Sequence, residues 1–228
     1  MTDADPALDA FRRIYASDHW QGGSGAGSQI EATDAYRQIL EAVLRGRDIT
    51  TVVDAGCGDW QFSRLIDWSA TRYFGVDIVP EVVESDRAAF GRDNVEFIAA
   101  DIRTAPLPAA DLLICKDVLQ HWDIDSVRNF LDRNLVRYRY ALVTNDIASV
   151  HIGAEMLNAE IPIGHWRPLD LERPPFGVRA QARIDFDIRG EWAKRGLLFV
   201  RRGSRTTAAI RRSSAYRAFR RARPTTEV

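Results

Sequence analysis

The segment Thr51-Val-Val-Asp-Ala-Gly-Cys-Gly-Asp-Trp60 carries the strongest chemical signal in the chain. A β-branched run enters Asp-x-Gly-x-Gly, and glycine at Gly56 and Gly58 permits a tight turn with a ligand held against the backbone. Asp77 follows Gly56 by 21 residues, at the end of the next apolar run. A carboxylate so placed can accept two hydrogen bonds from ribose hydroxyls. Gln61 stands where a dinucleotide fingerprint has its third glycine, so close approach of a pyrophosphate is disfavoured. Asp54 beside the loop is also a poor phosphate neighbour, and suits an ammonium group, met directly or through water. No Gly-Lys-Ser/Thr follows the loop, which excludes phosphate-loop chemistry. The plain alternative is a tight turn with a surface aspartate.

These residues need elements to position them. Phe11 to Trp20 reads as a short amphipathic helix, followed by the glycine-rich Gln21–Ser28. Ala32, Ala35, Tyr36, Ile39, Leu40, Val43 and Leu44 recur at helical spacing. Strands are predicted at Thr50–Asp54, Arg72–Asp77, Asn94–Asp101, Asp111–Asp117 and Tyr140–Asp146. Helices are predicted at Phe62–Trp68, from Pro80 to about Phe90, and after Asp125 as cap. Arg183–Arg189 and Leu197–Arg202 read as a hairpin. The expected fold is α/β, Rossmann-like: a mostly parallel seven-stranded sheet with helices on both faces and a C-terminal antiparallel hairpin. The proline-rich stretch inside 147–182 is too long for a mere connection and is read as a substrate-facing insertion, with a surface cover as the alternative.

The glycine loop resembles the first motif of the class I S-adenosylmethionine-dependent methyltransferases, and the resemblance runs through about residues 31–146, with the terminal hairpin matching in outline. The N-terminal cap and the proline-rich loop resemble a bacterial small-molecule-type subgroup. The resemblance implies S-adenosylmethionine as cofactor, with Asp54, Gly56, Cys57 and Gly58 beneath its methionine part and Asp77 on its ribose. Asp101 is then expected at the adenine edge, with Ile78 and Ile102 flanking the ring. Asp111-Leu-Leu-Ile-Cys-Lys-Asp-Val-Leu-Gln-His-Trp122 is expected beside the sulfonium and the methyl acceptor.

Methyl transfer from a sulfonium needs alignment and desolvation, and a base only when the acceptor carries a proton at attack. The absence of a carboxylate pair or nucleophile triad fits that demand. His121 is the candidate base, with substrate orientation or a structural hydrogen bond as alternatives. Asp117 is read as positioning the cofactor's amino group or the acceptor, and Asp146 as accepting from a substrate hydroxyl or amine; both have helix- or turn-capping alternatives. Lys116, inside an apolar strand, is expected to pair with Asp54 or Asp59. His19 and Trp20, followed by glycines, are read as a lid over the cofactor, with a fixed cap as the alternative. In the long loop with His165 and Trp166, Arg167 is read as a cation that could favour an acidic substrate, with an exposed loop salt bridge as the alternative. The four histidines lack metal-ligand spacing, so no metal is indicated.

The 228 residues, 46% of them hydrophobic, support one domain, 31–202, behind an N-terminal cap, 1–30. The formal charge of -1 hides an asymmetry: from Arg201 onward there are nine arginines and one acid, leaving -9 for positions 1–200. The basic segment 203–228 is expected to be a tail or helix, with attachment to nucleic acid disfavoured but open. Two cysteines, Cys57 and Cys115, suggest no disulfide framework. No signal peptide or spanning helix is readable, giving a cytoplasmic expectation. Nothing in the sequence sets the oligomeric state. The expected function is methylation of an oxygen or nitrogen of a small molecule. The alternatives are a nucleic-acid or protein methyltransferase recruited by the tail, a non-catalytic S-adenosylmethionine-binding protein, and, more remotely, a nicotinamide oxidoreductase.

Overall fold

A computed structural model describes residues 5–20 and 22–201. The arginine-rich tail lies outside the described residues. Seven strands form one sheet: β1 (Thr51–Ala55), β2 (Arg72–Asp77), β3 (Val95–Ala99), β4 (Leu112–Lys116), β5 (Tyr140–Ser149), β6 (Ala182–Ile188) and β7 (Trp192–Val200), in the order β3-β2-β1-β4-β5-β7-β6. The first five are mutually parallel, and β7 runs antiparallel between β5 and β6. Four helices accompany them: α1 (Pro6–Ala16), α2 (Asp34–Arg45), α3 (Pro80–Phe90) and α4 (Ile124–Asn134).

Strand alternation divides the core between the two faces. Val53, Ala55, Leu113, Cys115, Ala141 and Val143 point to the side packed with Phe11 of α1 and with Val127, Phe130 and Leu131 of α4. Val52, Leu112, Ile114, Tyr140 and Leu142 point to the side packed with Tyr36, Ile39, Leu40 and Val43 of α2 and Val83 of α3. Because both faces are covered, β4 is buried along its whole length and reads as an apolar run, Leu112 to Cys115, ending in a buried Lys116. Burial of Phe130, with none of its surface exposed, contributes about 2–3 kcal/mol relative to exposure.

Several expected boundaries move. The first helix starts and ends earlier than Phe11–Trp20: Asp5 caps it by accepting from Ala7 N at 2.9 Å, and Pro6 occupies its first turn. Phe62–Trp68 is not a helix; only a 3-10 turn, Ser63–Leu65, forms there. Trp60 has φ +55° and is buried against Tyr73, Phe90 and Phe97, with ring centroids 5.5, 5.1 and 5.3 Å away. That conformation breaks the helical path before it starts. Asp123 rather than Asp125 caps α4, accepting from Ser126 N at 2.7 Å. The hairpin's second strand begins at Trp192, not Leu197, because Arg189 and Gly190 turn the chain with φ +54° and +71°.

The segment 150–181 contains no long element, only a 3-10 turn at Ala154–Met156. Asn158 holds it together: its Nδ2 donates to Asp170 O and Pro174 O, and its Oδ1 accepts from Asp170 N. No described helix is long and apolar enough to cross a membrane.

Candidate functional site

The sheet order reverses between β1 and β4, which opens a crevice at their carboxyl ends. A cavity of about 500 Å³ occupies it. Trp20, Asp54, Gly56, Cys57, Gly58, Asp77, Ile78, Asp101, Ile102, Lys116, Asp117, His121 and Asp146 all line it, so these candidate cofactor-binding and catalytic residues come to one place, whereas Asp59 and Arg167 do not line it.

The glycine loop after β1 forms one wall. Gly56 and Gly58 have φ +83° and +57°, and a Cβ on them would lie 2.3 Å from Val118 Cγ2 and 2.2 Å from Ser24 Oγ. Only glycine fits this cradle. Gly58 N donates to Asp77 Oδ2 and Val79 N to Asp77 Oδ1, each at 3.1 Å, which fixes the carboxylate at the end of β2. Burial raises the Asp77 pKa while these amides oppose the shift. Each oxygen keeps a lone pair for a ribose hydroxyl. Asp101 is not free to face a ligand alone: Arg103 Nη2 donates to it at 2.8 Å, and Arg103 also reaches Asp5.

Asp54 lines the cavity but is only 4% exposed; it accepts from Tyr73 Oη at 2.7 Å, and burial pushes its carboxyl up to about 7. Lys116 pairs with neither Asp54 nor Asp59. Its Nζ lies 2.6 Å from Asp117 Oδ2 and donates to Gly27 O at 2.9 Å. The sequence-based pairing failed because Asp117 leaves β4 with φ +58°, which curls its carboxylate back onto its neighbour.

Lys194 of β7, which the sequence reading missed, completes the cluster. Its Nζ is 2.8 Å from Asp117 Oδ2 and 2.7 Å from Asp146 Oδ1. Asp117 is held down at about 2 by the two lysines despite its burial, whereas burial raises Asp146. Burial lowers Lys116; at Lys194 burial also opposes the charge, but Asp117 and Asp146 win and its pKa rises. Both lysines thus share one oxygen of Asp117, and Asp117 Oδ1 is buried without a partner. Asp146 Oδ2 accepts from Gln120 Nε2 at 2.9 Å and Trp166 Nε1 at 3.2 Å.

His121 lies in the 3-10 turn after β4, with Nδ1 3.0 Å from His165 O and its ring 4.9 Å from that of Trp20. Burial pushes its pKa down to about 4. Of the insertion, Ser149, His151 and Trp166 reach the cavity. Arg167 corrects the expectation of an exposed loop cation: it is fully buried and donates from Nη1 to Leu119 O at 3.3 Å. The N-terminal segment covers the glycine loop. Ser24 N donates to Asp59 Oδ2, Asp59 N to Ser24 Oγ, and Gln61 Nε2 to Gly22 O. Among the described residues no group of three or more His, Cys, Asp or Glu is arranged to hold a metal.

Residues 53–137 match the family model described as a methyltransferase domain. Trans-aconitate 2-methyltransferase of Azoarcus sp. is 38% identical over 93 residues, 40% of this chain and 36% of that protein. Malonyl-[acyl-carrier protein] O-methyltransferase of Acetivibrio thermocellus is 31% identical over 115 residues, 45% of this chain and 41% of that protein. The chain therefore matches less than half the length of these relatives. The N-methyltransferase NodS of Bradyrhizobium japonicum, solved with S-adenosyl-l-homocysteine, has the same fold: TM-score 0.59 at 13% identity, over 86% of this chain and 98% of that one. Over residues 53–137 the chain is thus similar to methyltransferase domains, and the glycine loop and strand order there belong to a fold it shares with them.

Proposed function

We propose that the chain transfers the methyl group of S-adenosylmethionine to an oxygen or nitrogen of a small molecule. The observation that carries this reading is the single cavity in which a cradle only glycine can form, the β2 carboxylate and the β4 exit cluster meet. When bound, S-adenosylmethionine supplies a methyl group already activated on a sulfonium.

In this reading Gly56, Cys57 and Gly58 hold the methionine part, Asp77 orients the ribose, and Ile78 and Ile102 enclose the adenine beside Asp101. Asp117 Oδ1, an unpartnered acceptor, suits an ammonium group. Asp54, packed against Tyr73, supports the loop from behind. Trp20 excludes water at the acceptor end, with 1–30 acting as cap, 31–202 as the catalytic domain and 147–182 as one wall of the acceptor pocket. The likeness to a trans-aconitate 2-methyltransferase and a malonyl-[acyl-carrier protein] O-methyltransferase supports a small acceptor, in the second case a carrier-bound one. A role for the arginine-rich tail in recruiting a polymer is the second reading, motivated by its nine arginines from Arg201 onward.

The test is label transfer from methyl-tritiated S-adenosylmethionine into fractions of a cell extract. Label in the low-mass fraction supports the proposal. Label confined to protein or nucleic acid refutes the small-molecule assignment.

A further inference from the structure

At the acceptor end of the cavity His121 presents an unfilled hydrogen-bond acceptor. His165 O can only accept, so His121 Nδ1 at 3.0 Å must carry the proton in the neutral ring. That leaves Nε2 as a bare lone pair, and among the described residues it has no hydrogen-bond partner. The tautomer is set by a braced loop. Gly164 N donates to His121 O at 2.8 Å, Arg167 N to Gln120 O at 3.2 Å, and the buried Arg167 Nη1 to Leu119 O. All three carbonyls of the 3-10 turn are thereby tied to the segment that supplies His165 O.

The neighbouring cations are paired with acids: Lys116 with Asp117, and Lys194 with Asp117 and Asp146. Asp117 Oδ1, the other unpartnered acceptor, is taken in this reading by the ammonium group, which leaves Nε2 for the methyl acceptor. A carboxylate acceptor would set its own lone pairs against the bare Nε2. A hydroxyl or N–H would supply the donor that is missing.

Resting on the methyltransferase reading, we propose that the methyl acceptor is a neutral hydroxyl or N–H group, not a carboxylate, and that His121 Nε2 takes its proton. The acceptor's lone pair forms the new bond to the methyl carbon, and the carbon–sulfur bond breaks with its electrons on sulfur. The acceptor's proton passes to Nε2, and the resulting imidazolium returns it to water. The charged groups facing the ring are Asp117, which favours the imidazolium, and Arg167 and Lys194, which oppose it. With burial the opposition prevails, so the ring is neutral at pH 6–8.

Two measurements test this. Nitrogen-15 NMR of the protein saturated with S-adenosylhomocysteine, with the signal assigned by its loss in His121→Gln, reads the tautomer directly. A proton on Nδ1 is expected; a proton on Nε2 overturns the proposal. The second measurement treats the tritiated product with mild alkali. Methyl ethers and N-methyl groups keep their label and methyl esters release it as methanol, so volatile label overturns the proposal. His121→Gln should lower kcat by about 10²–10⁴-fold, with KM nearly unchanged, and convert a flat profile at pH 6–8 into a rising one. A variant with wild-type kcat and profile overturns the role of His121. Binding of S-adenosylhomocysteine by calorimetry separates these failures from failure of the cofactor assignment.

Discussion

Replacing Lys194 by methionine should destabilise the protein by about 3–5 kcal/mol at pH 8, because it leaves a buried carboxylate without its counter-charge. In the folded protein Lys194 is 3% exposed and its partners Asp117 and Asp146 are 12% and 6% exposed. At about 4 Å between charges and an effective dielectric of 20, each pair is worth about 4 kcal/mol before desolvation. Asp117 keeps Lys116 at 2.6 Å, so the loss falls mainly on Asp146. Burial already raises the Asp146 pKa, and removing Lys194 raises it further. A carboxyl with a raised folded pKa binds a proton that the unfolded chain releases near 3.9, so its penalty grows as pH rises above that value. The deficit of Lys194→Met relative to wild type is therefore larger at pH 8 than at pH 5. Lys194 itself has a raised pKa, so its stabilisation is fully present below about 10.4 and is not lost in this window. Urea unfolding of wild type, Lys194→Met and Lys194→Met/Asp146→Asn at both pH values checks this. The double variant should recover most of the deficit at pH 8. A deficit below 1 kcal/mol, or one unaffected by pH and by Asp146→Asn, would refute the reasoning.

Gly58→Ala places a methyl group in a left-handed conformation and against Ser24 Oγ. It should cost about 1–2 kcal/mol in urea unfolding, and weaken S-adenosylhomocysteine binding by at least about tenfold, or 1.4 kcal/mol. Asp54→Asn keeps an acceptor for Tyr73 Oη but removes a carboxyl raised to about 7 by burial. The folded state's penalty for ionising Asp54 begins above about 3.9 and is complete above about 7, so the substitution should gain about 2–4 kcal/mol of relative stability between pH 4 and pH 8. Unfolding at both pH values reads that difference, and a parallel shift at both removes the account. Trp20→Ala uncovers the His121 ring, and NMR titration should show its pKa moving up from about 4 toward the usual histidine range. No movement would show that Trp20 does not exclude water there.

Local pattern sufficed wherever one short run carried the information. Strand β4 is buried on both faces and so is apolar from Leu112 to Cys115, and Gly56 and Gly58 advertise a turn that no other residue makes. What escaped depends on residues far apart in the chain. Lys194 sits in the part of β7 that precedes the expected strand start, and its partners lie 77 and 48 residues earlier in sequence. The available signal was that the chain has only two lysines, Lys116 and Lys194. Trp60 misled the helix assignment at 62–68 because its left-handed backbone is stabilised by Tyr73, Phe90 and Phe97, none of them local. Arg167 looked like an exposed loop charge because nothing nearby in sequence reveals that its loop folds over the β4 exit. The Asp117 conformation likewise decides which acid Lys116 pairs with, and φ +58° is not written in residue type.

The most direct test of the central claim is calorimetry of S-adenosylmethionine, S-adenosylhomocysteine and, as control, NAD with wild type and Asp77→Ala. Circular dichroism should accompany it, because Asp77 also holds Gly58 N and Val79 N. The predicted result is a Kd on the order of 1–10 μM for the first two ligands, and no binding of NAD. Asp77→Ala should weaken both by about 10–100-fold, the loss expected for hydrogen bonds to a charged acceptor. A folded wild-type protein that binds NAD, or that binds neither methyl donor nor product, would contradict the account.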